Sequence, residues 1–152
     1  MSRSVPAFVM AATLVGCTKP ASTPRGVSGV VVEFRRASAS PAEGLAEAIV
    51  AGSGDKIYLH ASVDVSNAEI ASAAVTRDFR GRPAVEVTFT SEGQTKMKQL
   101  TAAHIDKPLA VLVDGEVVCA PIIKAPVERA ALITGDFSEQ DATRIAAGIL
   151  AR

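Results

Sequence analysis

Hydrophobic and polar residues alternate most clearly in the middle of the chain. The stretches "SAAVTRDF" and "AVEVTFT" are separated by "RGRP", and in the second Val85, Val87 and Phe89 alternate with polar residues. Strict alternation of this kind is typical of strands with one buried and one solvated face. The two stretches are therefore predicted to form a β-hairpin that turns one side toward the core.

A second hairpin is predicted in "LAVLVDGEVVCAPII", residues 109–123. Its Asp-Gly pair lies between two apolar runs, which is the pattern of a two-residue type I′ turn. Counting outward from the turn pairs Val111 with Val118 and Ala110 with Cys119. Both faces of this hairpin are apolar, so we expect it in the centre of a sheet that is covered on two sides; the alternative is that one face is a docking surface.

Two helices are predicted in the second half of the chain, because a capping sequence precedes apolar residues at helical spacing at Ser91 and again at Ser138. The apolar stripe of the first consists of Met97, Leu100, His104 and Ile105, and that of the second consists of Ala142, Ile145, Ala146, Ile149 and Leu150.

The first half of the domain is predicted to contain further strands and helices. "VVVEFRR" and "KIYLH" have the composition of strands. "SPAE" at 40–43 is a capping box with proline in the first helical position, and it predicts a helix that stops at Gly52. "SNAE" at 66–69 is another capping box, which leaves room for a helix of only one or two turns. The fold class is therefore α+β, with a mainly antiparallel sheet and amphipathic helices.

The N-terminus has the layout of a secretory signal: Arg3 is its only charge, and an 11-residue apolar run follows from Val5 to Val15. Such a run is shorter than the ~18–20 residues that span a bilayer. "LVGC" resembles the bacterial lipobox, which implies cleavage before Cys17 and acylation of its thiol and amino group. Thr18 in place of Asp would favour the outer membrane in a Gram-negative envelope. The alternatives are an ordinary signal and an apolar N-terminus that happens to contain a cysteine.

This N-terminus gives a predicted division of the chain into three parts. Residues 1–17 are a lipoprotein signal with the lipidated Cys17, and residues 18–29, rich in Pro, Ser, Thr and Gly, are a flexible tether. Residues 30–152 form the domain.

Composition and charge narrow the function. Lys plus Arg and Asp plus Glu number 16 each, so the formal net charge is zero. A neutral chain without a basic stripe lacks the field of a nucleic-acid-binding protein. If Cys17 is lipidated, Cys119 has no partner within the chain. It lies in an apolar strand, where we expect a buried small hydrophobe rather than a reactive thiol.

Catalytic chemistry has few candidates. Only His60 and His104 could serve as imidazole bases; His60 lies near Asp64 but lacks further metal ligands at suitable spacing. No nucleophile motif or phosphate-binding glycine loop is present, and the charge of Asp136 disfavours an anion site before the last helix. We therefore predict no catalytic, metal or cofactor residues and a protein that is not an enzyme; an unrecognised hydrolase is the least favoured alternative.

One polar cluster is a candidate contact site. Arg77, Arg80 and Arg82 crowd the end of the first predicted hairpin, with Asp78 as the only acid among them. The cluster is either a solvated loop or a contact for an acidic partner or lipid head groups.

From about Lys56 to its C-terminus the sequence resembles the first periplasmic head domain of the SecD protein-export subunit. The matching segments, in order, are "IYLH", "NAEIASAAV", "VEVTFTSEGQTKMKQLT", "KPLAVLVDGEVVCAPII" and "ITGDFSEQDATRIAAGIL". The resemblance implies a SecD head-like α+β fold with ferredoxin-like elements and contact with emerging polypeptide. The membrane helices that let SecD use the proton gradient have no counterpart in this sequence, so motor chemistry is not expected.

Together these observations predict a lipid-anchored envelope protein that faces the periplasm. It would bind an unfolded or secreted polypeptide or an envelope partner, as an accessory to protein export, with docking along an exposed strand edge as one mode. The alternative is a structural subunit of a larger envelope complex.

Overall fold

The computed structural model describes residues 29–151. Over these residues the chain forms two antiparallel sheets and two α-helices, which confirms the α+β class. In chain order the elements are β1 (Val32–Ser38), β2 (Ala46–Ile49), β3 (Lys56–Leu59), β4 (Val65–Ser66), a 3₁₀ turn (Asn67–Glu69), β5 (Ile70–Arg77), β6 (Pro83–Phe89), α1 (Ser91–Ala102), β7 (Leu109–Val113), β8 (Glu116–Cys119), β9 (Ala130–Ile133) and α2 (Glu139–Leu150). The predicted signal, Cys17 and residues 18–28 of the predicted tether lie outside the described residues.

The larger sheet has the strand order β2-β3-β1-β7-β8, with β4 also paired to β1. β7 lies between β1 and β8, and all five of its residues are buried. This arrangement confirms that the apolar hairpin contributes a central strand. β8 is the edge of the sheet, so one side of the hairpin's backbone is left without a neighbouring strand.

β7 is apolar on both faces because a cluster of side chains covers each face. The main core lies on one side and contains Phe34 and Phe89, whose rings meet edge to face with centroids 5.7 Å apart. The second, smaller cluster lies on the other side and consists of Ala37, Val50, Ile57, Leu59, Ala110, Leu112 and Val117.

The pairing within the second hairpin differs from the prediction beyond its second residue pair. Val111 pairs with Cys119, not Val118, because a β-bulge shifts the register. The predicted pairing of Ala110 with Cys119 is therefore also wrong. With this register Val118 lies in the main core and Cys119 packs against the same core.

The smaller sheet has the order β5-β6-β9. β5 and β6 form the first predicted hairpin, from Ile70 paired with Phe89 to Arg77 paired with Pro83. Val85 and Val87 are fully buried, while Glu86 between them is exposed, as the alternation predicted.

α1 confirms the predicted helix but not the whole of its stripe. Its N-cap is Thr90, whose Oγ1 accepts a hydrogen bond from the backbone N–H of Gly93 at 3.1 Å, so the helix itself begins at Ser91. It ends at Ala102, and His104 and Ile105 therefore lie beyond it. Met97 is completely buried and Leu100 packs against the main core, whereas Ile105 is exposed.

The helix predicted from the capping box at 40–43 is wrong. Gly44 adopts φ +80°, and the following residues form β2, which pairs with β3. The ladder between two strands supplies the hydrogen bonds that an isolated helix would have made internally, so tertiary pairing overrides the local capping signal. The box at 66–69 does form, as a single 3₁₀ turn.

The two ends of the described chain meet at the side chain of Asn67. Its Nδ2 donates to the carbonyl oxygens of Val30 (2.7 Å) and Ile149 (3.1 Å), and its Oδ1 accepts from the N–H of Val32 (2.6 Å). This amide therefore joins the entry to β1 to the end of α2. We call this region, residues 29–32, 67 and 149–151, the terminal pole.

Candidate binding groove and hairpin tip

A groove of about 780 Å³ runs beside β8. Its walls are residues 118–122, the segment 50–57 except Gly54, and the loop 134–136, with Ala39, Arg82 and Pro108 completing the lining. We call it the β8 groove. A smaller pocket of about 280 Å³ continues along the same strand toward Asp114 and shares Ala51, Val118 and Asp136 with it.

The lining of the β8 groove combines apolar side chains with charged ones. Val118, Ala120, Pro121, Ile122 and Ile57 supply apolar side chains. Ile122 is 45% exposed, so it presents aliphatic surface to the groove. The charged lining residues are Asp55, Lys56, Arg82 and Asp136. This surface can hold apolar side chains and can accept either charge beside them.

The backbone of β8 offers few groups to an added strand. Ala51 donates its N–H to the carbonyl oxygen of Val117 at 2.8 Å, and Pro121 has no N–H to donate. A blocked carbonyl and a proline are two ways in which proteins protect a sheet edge. Beside β8 the groove therefore presents mainly side-chain surface.

Cys119 lines the β8 groove, and sequence reasoning did not assign it to any site. Burial raises the pKa of its thiol, and hydrogen bonds from the backbone and side chain of Thr134 offset only part of that rise. The thiol is therefore protonated at neutral pH, which makes it a poor nucleophile.

The loop between β5 and β6 is a three-residue turn, Phe79–Gly81, closed by a hydrogen bond from the N–H of Asp78 to the carbonyl oxygen of Arg82 at 2.8 Å. Gly81 has φ +77°, the left-handed conformation that such turns require at their last position. We call residues 78–82 the hairpin tip.

The carboxylate of Asp78 organises the hairpin tip from inside. It accepts hydrogen bonds from the N–H groups of Arg80 (2.8 Å) and Arg82 (2.9 Å) and from Nε of Arg82 (3.0 Å). The backbone hydrogen bond from Arg82 is the main reason that the pKa of Asp78 lies below its ordinary value. The carboxylate therefore stays ionised and keeps the turn in one conformation.

The structure assigns different surroundings to the three arginines. Arg77 pairs with Glu139 at the start of α2 and donates to the carbonyl oxygen of Gly81 at 2.9 Å. Arg82 pairs with Asp78 and lines the β8 groove. Arg80 has no carboxylate partner within residues 29–151.

Phe79 is the residue of the hairpin tip that sequence reasoning missed. Its side chain is 90% exposed, more than any other large hydrophobic residue in the described part of the chain. The Arg80 guanidinium lies over its ring, 5.3 Å from the centroid. The available signal was a lone aromatic residue between arginines in a glycine-containing turn.

Each of the two histidines has a hydrogen-bond partner in the backbone. The backbone N–H of His60 donates to Arg36, and Nδ1 of His104 lies 2.7 Å from the carbonyl oxygen of Leu100. Between Gly29 and Ala151, no group of three or more His, Cys, Asp or Glu side chains is placed to hold a metal ion. At the start of α2, the Ser138 hydroxyl and the Asp141 carboxylate form the predicted capping box.

A family model described as "SecDF, P1 head subdomain" matches residues 42–151 of the chain. The chain belongs to the SecDF P1 head family. The model covers both helices and every strand except β1, so the hairpin tip and every residue that lines the β8 groove except Ala39 lie within the matched head domain.

Several relatives share sequence with this head domain. The protein translocase subunit SecDF of Thermus thermophilus is 39% identical over 83 residues, which are 54% of this chain and 11% of that protein. SecD of Rhodobacter capsulatus is 37% identical over 83 residues, 54% of this chain and 15% of that protein. SecD of Acidaminococcus fermentans is 23% identical over 147 residues, 96% of this chain and 35% of that protein. The chain thus covers about a tenth to a third of these relatives.

Solved structures share the fold of the head domain. A crystal structure of SecDF in a super-membrane-facing form has a TM-score of 0.64 at 27% identity, covering 79% of this chain and 18% of that one. A second, from a study of SecDF as a membrane component that enhances protein export, also has a TM-score of 0.64 at 26% identity, covering 80% of this chain and 62% of that one. In the described part of this chain, no helix is long and apolar enough to cross a membrane.

Proposed function

We propose that this head domain binds an extended, unfolded polypeptide segment in the β8 groove, as a non-enzymatic accessory to protein export. The observation that carries the proposal is an open groove lined by apolar side chains together with charged side chains of both signs. The relatives' names, protein translocase subunit SecD and SecDF, support a role in export.

The groove suits segments of varied sequence better than one fixed ligand. Its volume of about 780 Å³ is large enough for several side chains, and Ile122 already presents aliphatic surface to solvent. Because Ala51 and Pro121 limit backbone pairing, docked side chains supply most of the contact. Of the three arginines predicted to contact a partner, Arg82 is the one that borders the groove and would contact the docked segment.

The matched variants Ile122→Asp and Ile49→Asp test the groove. Both isoleucines are about half exposed, at 45% and 50%, but only Ile122 lines the groove. Full burial of an isoleucine contributes about 1.5–3 kcal/mol, and docking can bury only the exposed 45% of Ile122, so the change should weaken binding about 3- to 10-fold.

The measurement is fluorescence anisotropy of a labelled, reduced and carboxymethylated α-lactalbumin, a polypeptide that stays unfolded. We expect weaker binding by Ile122→Asp and unchanged binding by Ile49→Asp. Equal affinities for the two variants would contradict the proposal.

We further propose that acyl chains on Cys17 hold the domain at an envelope membrane, facing the periplasm, with residues 18–29 as the tether. Several acyl chains make a durable anchor where one is marginal. Cys17→Ser should move the protein from the membrane to the soluble fraction, and mass spectrometry should find the acyl groups in the unaltered protein. An unmodified Cys17 in membrane-bound protein would contradict the anchor and leave the groove proposal standing.

A structural role in a larger envelope complex is the second candidate. The observation in its favour is that the relatives carry this domain as a small part of much longer proteins. Stoichiometric co-purification with fixed partners would support it, whereas transient crosslinks to many secreted chains would support polypeptide binding.

A further inference from the structure

The hairpin tip presents one aromatic ring and one unpaired cation at the end of an ordered turn. Phe79 is 90% exposed, and Arg80, which has no carboxylate partner among the described residues, stacks on it at 5.3 Å. We propose that Phe79 and Arg80 insert into the headgroup region of an anionic bilayer and thereby orient the head domain on the membrane surface.

The chemistry of this pair suits a lipid surface. An aromatic ring beside a guanidinium group gives a small amphipathic surface. The ring can enter the apolar side of the membrane interface, while the guanidinium remains beside the lipid phosphates. Anionic lipids also attract the unpaired charge of Arg80 directly.

A protein partner fits the tip less well. Stable protein interfaces bury about 800 Å² on each partner, and a turn of three residues exposes far less than that. Arg77 and Arg82, which could have widened a charged contact, are already paired with Glu139 and Asp78. Insertion of a single ring between lipids needs no complementary surface.

The tip is fixed before any contact is made. Asp78 binds the N–H groups of Arg80 and Arg82, and Gly81 supplies the left-handed residue that closes the turn. Because the backbone of the tip is already ordered, insertion costs little conformational entropy.

The tip can reach a bilayer to which Cys17 is anchored. β5 runs from Ile70, next to the terminal pole, to Arg77 at the tip, and eight residues span about 26 Å at ~3.3 Å per residue. The chain from Cys17 to Gly29 spans up to about 40 Å when extended. The domain can therefore lie with β5 along the membrane. One ring and one cation make a marginal contact by themselves, so the tip orients an anchored domain and does not recruit it.

The chain contains no tryptophan, so Phe79→Trp introduces a single fluorescent reporter at the tip. The full-length chain is mixed with a saturating excess of vesicles of phosphatidylcholine alone or with 30% phosphatidylglycerol, with and without brominated lipids. Ile49→Trp, at a half-exposed position of β2, is the matched control. Flotation of the vesicles reports anchoring through Cys17 independently.

We expect a blue shift and quenching by brominated lipids for Phe79→Trp, stronger with phosphatidylglycerol, and no response for Ile49→Trp. Adding Arg80→Ser should reduce the difference between the two vesicle types. An unchanged spectrum of Phe79→Trp at saturating lipid, or equal quenching of both variants, would overturn the proposal. A response to unfolded α-lactalbumin but not to vesicles would overturn it in favour of a protein contact.

Discussion

The two hairpins of this domain have opposite relations to the rest of the molecule. Asp114 binds the turn of β7–β8 to the rest of the domain. The N–H of Val31 donates to Oδ1 of Asp114 at 2.9 Å, and the N–H of Asp114 donates to the carbonyl oxygen of Val31 at 2.8 Å. Nη1 of Arg144 lies 3.4 Å from Oδ2 of Asp114. The tip of β5–β6 is stabilised by its own Asp78, and Phe79 beyond it contacts mainly Arg80.

This difference assigns the hairpins different tasks. β7–β8 supplies a strand buried on both faces and one wall of the β8 groove, so its apolar residues are committed to the fold. β5–β6 contributes its inner face to the core and leaves its end free for contacts. Because the side chain of Phe79 is exposed on a turn that Asp78 stabilises, replacing it should change the free energy of unfolding little.

The largest effect should come from removing side-chain volume in β7. Leu112 is 4% exposed in the second cluster, whereas Leu132 in β9 is 39% exposed. Leu112→Ala should lower the free energy of unfolding by about 2–5 kcal/mol, because it loses transfer energy and leaves a cavity. Leu132→Ala should cost well under half as much, as measured by urea denaturation. Similar losses for the two variants would show that β7 is not the central buried strand.

A smaller effect should separate the ends of the two hairpins. Asp114→Ala removes the bond to Val31 and the contact with Arg144, and it places alanine at φ +51°. We expect a loss of about 1–2 kcal/mol. Phe79→Ser should change the free energy of unfolding by less than about 0.5 kcal/mol, because the ring is exposed. A large loss from Phe79→Ser in thermal or urea unfolding would mean that the tip is part of the core.

The smallest effect should be the acid titration of the hairpin tip. The pKa of Asp78 is lower in the folded protein than its ordinary value of 3.8, chiefly because the N–H of Arg82 binds the carboxylate. Its contribution to stability is therefore complete above pH 3.8 and is lost as the pH falls through the lower folded pKa.

The amide resonances of Arg80 and Arg82, followed by NMR, should titrate with a midpoint below 3.8. In Asp78→Asn this titration should disappear. A midpoint at or above the ordinary value would show that the carboxylate does not organise the turn.

The sequence predicted the elements that have a clear hydrophobic period or a helix-capping sequence. It did not predict the elements whose structure is determined by pairing with distant strands. β5–β6 and the two helices followed from alternation and capping. The strand at 46–49 was not predicted. The capping box before it is a local signal for a helix, whereas its pairing with β3 depends on residues further along the chain. The register beyond Leu112 was also missed, because apolar residues on both faces leave the register weakly specified.

The candidate site was less predictable than the fold. The arginine cluster could be named from the sequence, but the pairing of Arg77 with Glu139 joins residues far apart in the chain. The β8 groove could not be predicted, since its walls come mainly from three segments that are far apart in the chain. Phe79 was overlooked because exposure at a turn depends on what packs around it.

The most direct test of polypeptide binding is a map of backbone amide shifts in the ¹⁵N-labelled full-length chain during titration with unfolded α-lactalbumin. We predict shifts at Ala51, at residues 118–122 except Pro121, and at Thr134, with Ile49 and Glu86 unaffected. Shifts confined to the hairpin tip or the outer face of β6, or no saturable shifts at all, would contradict the assignment of the β8 groove as the binding site.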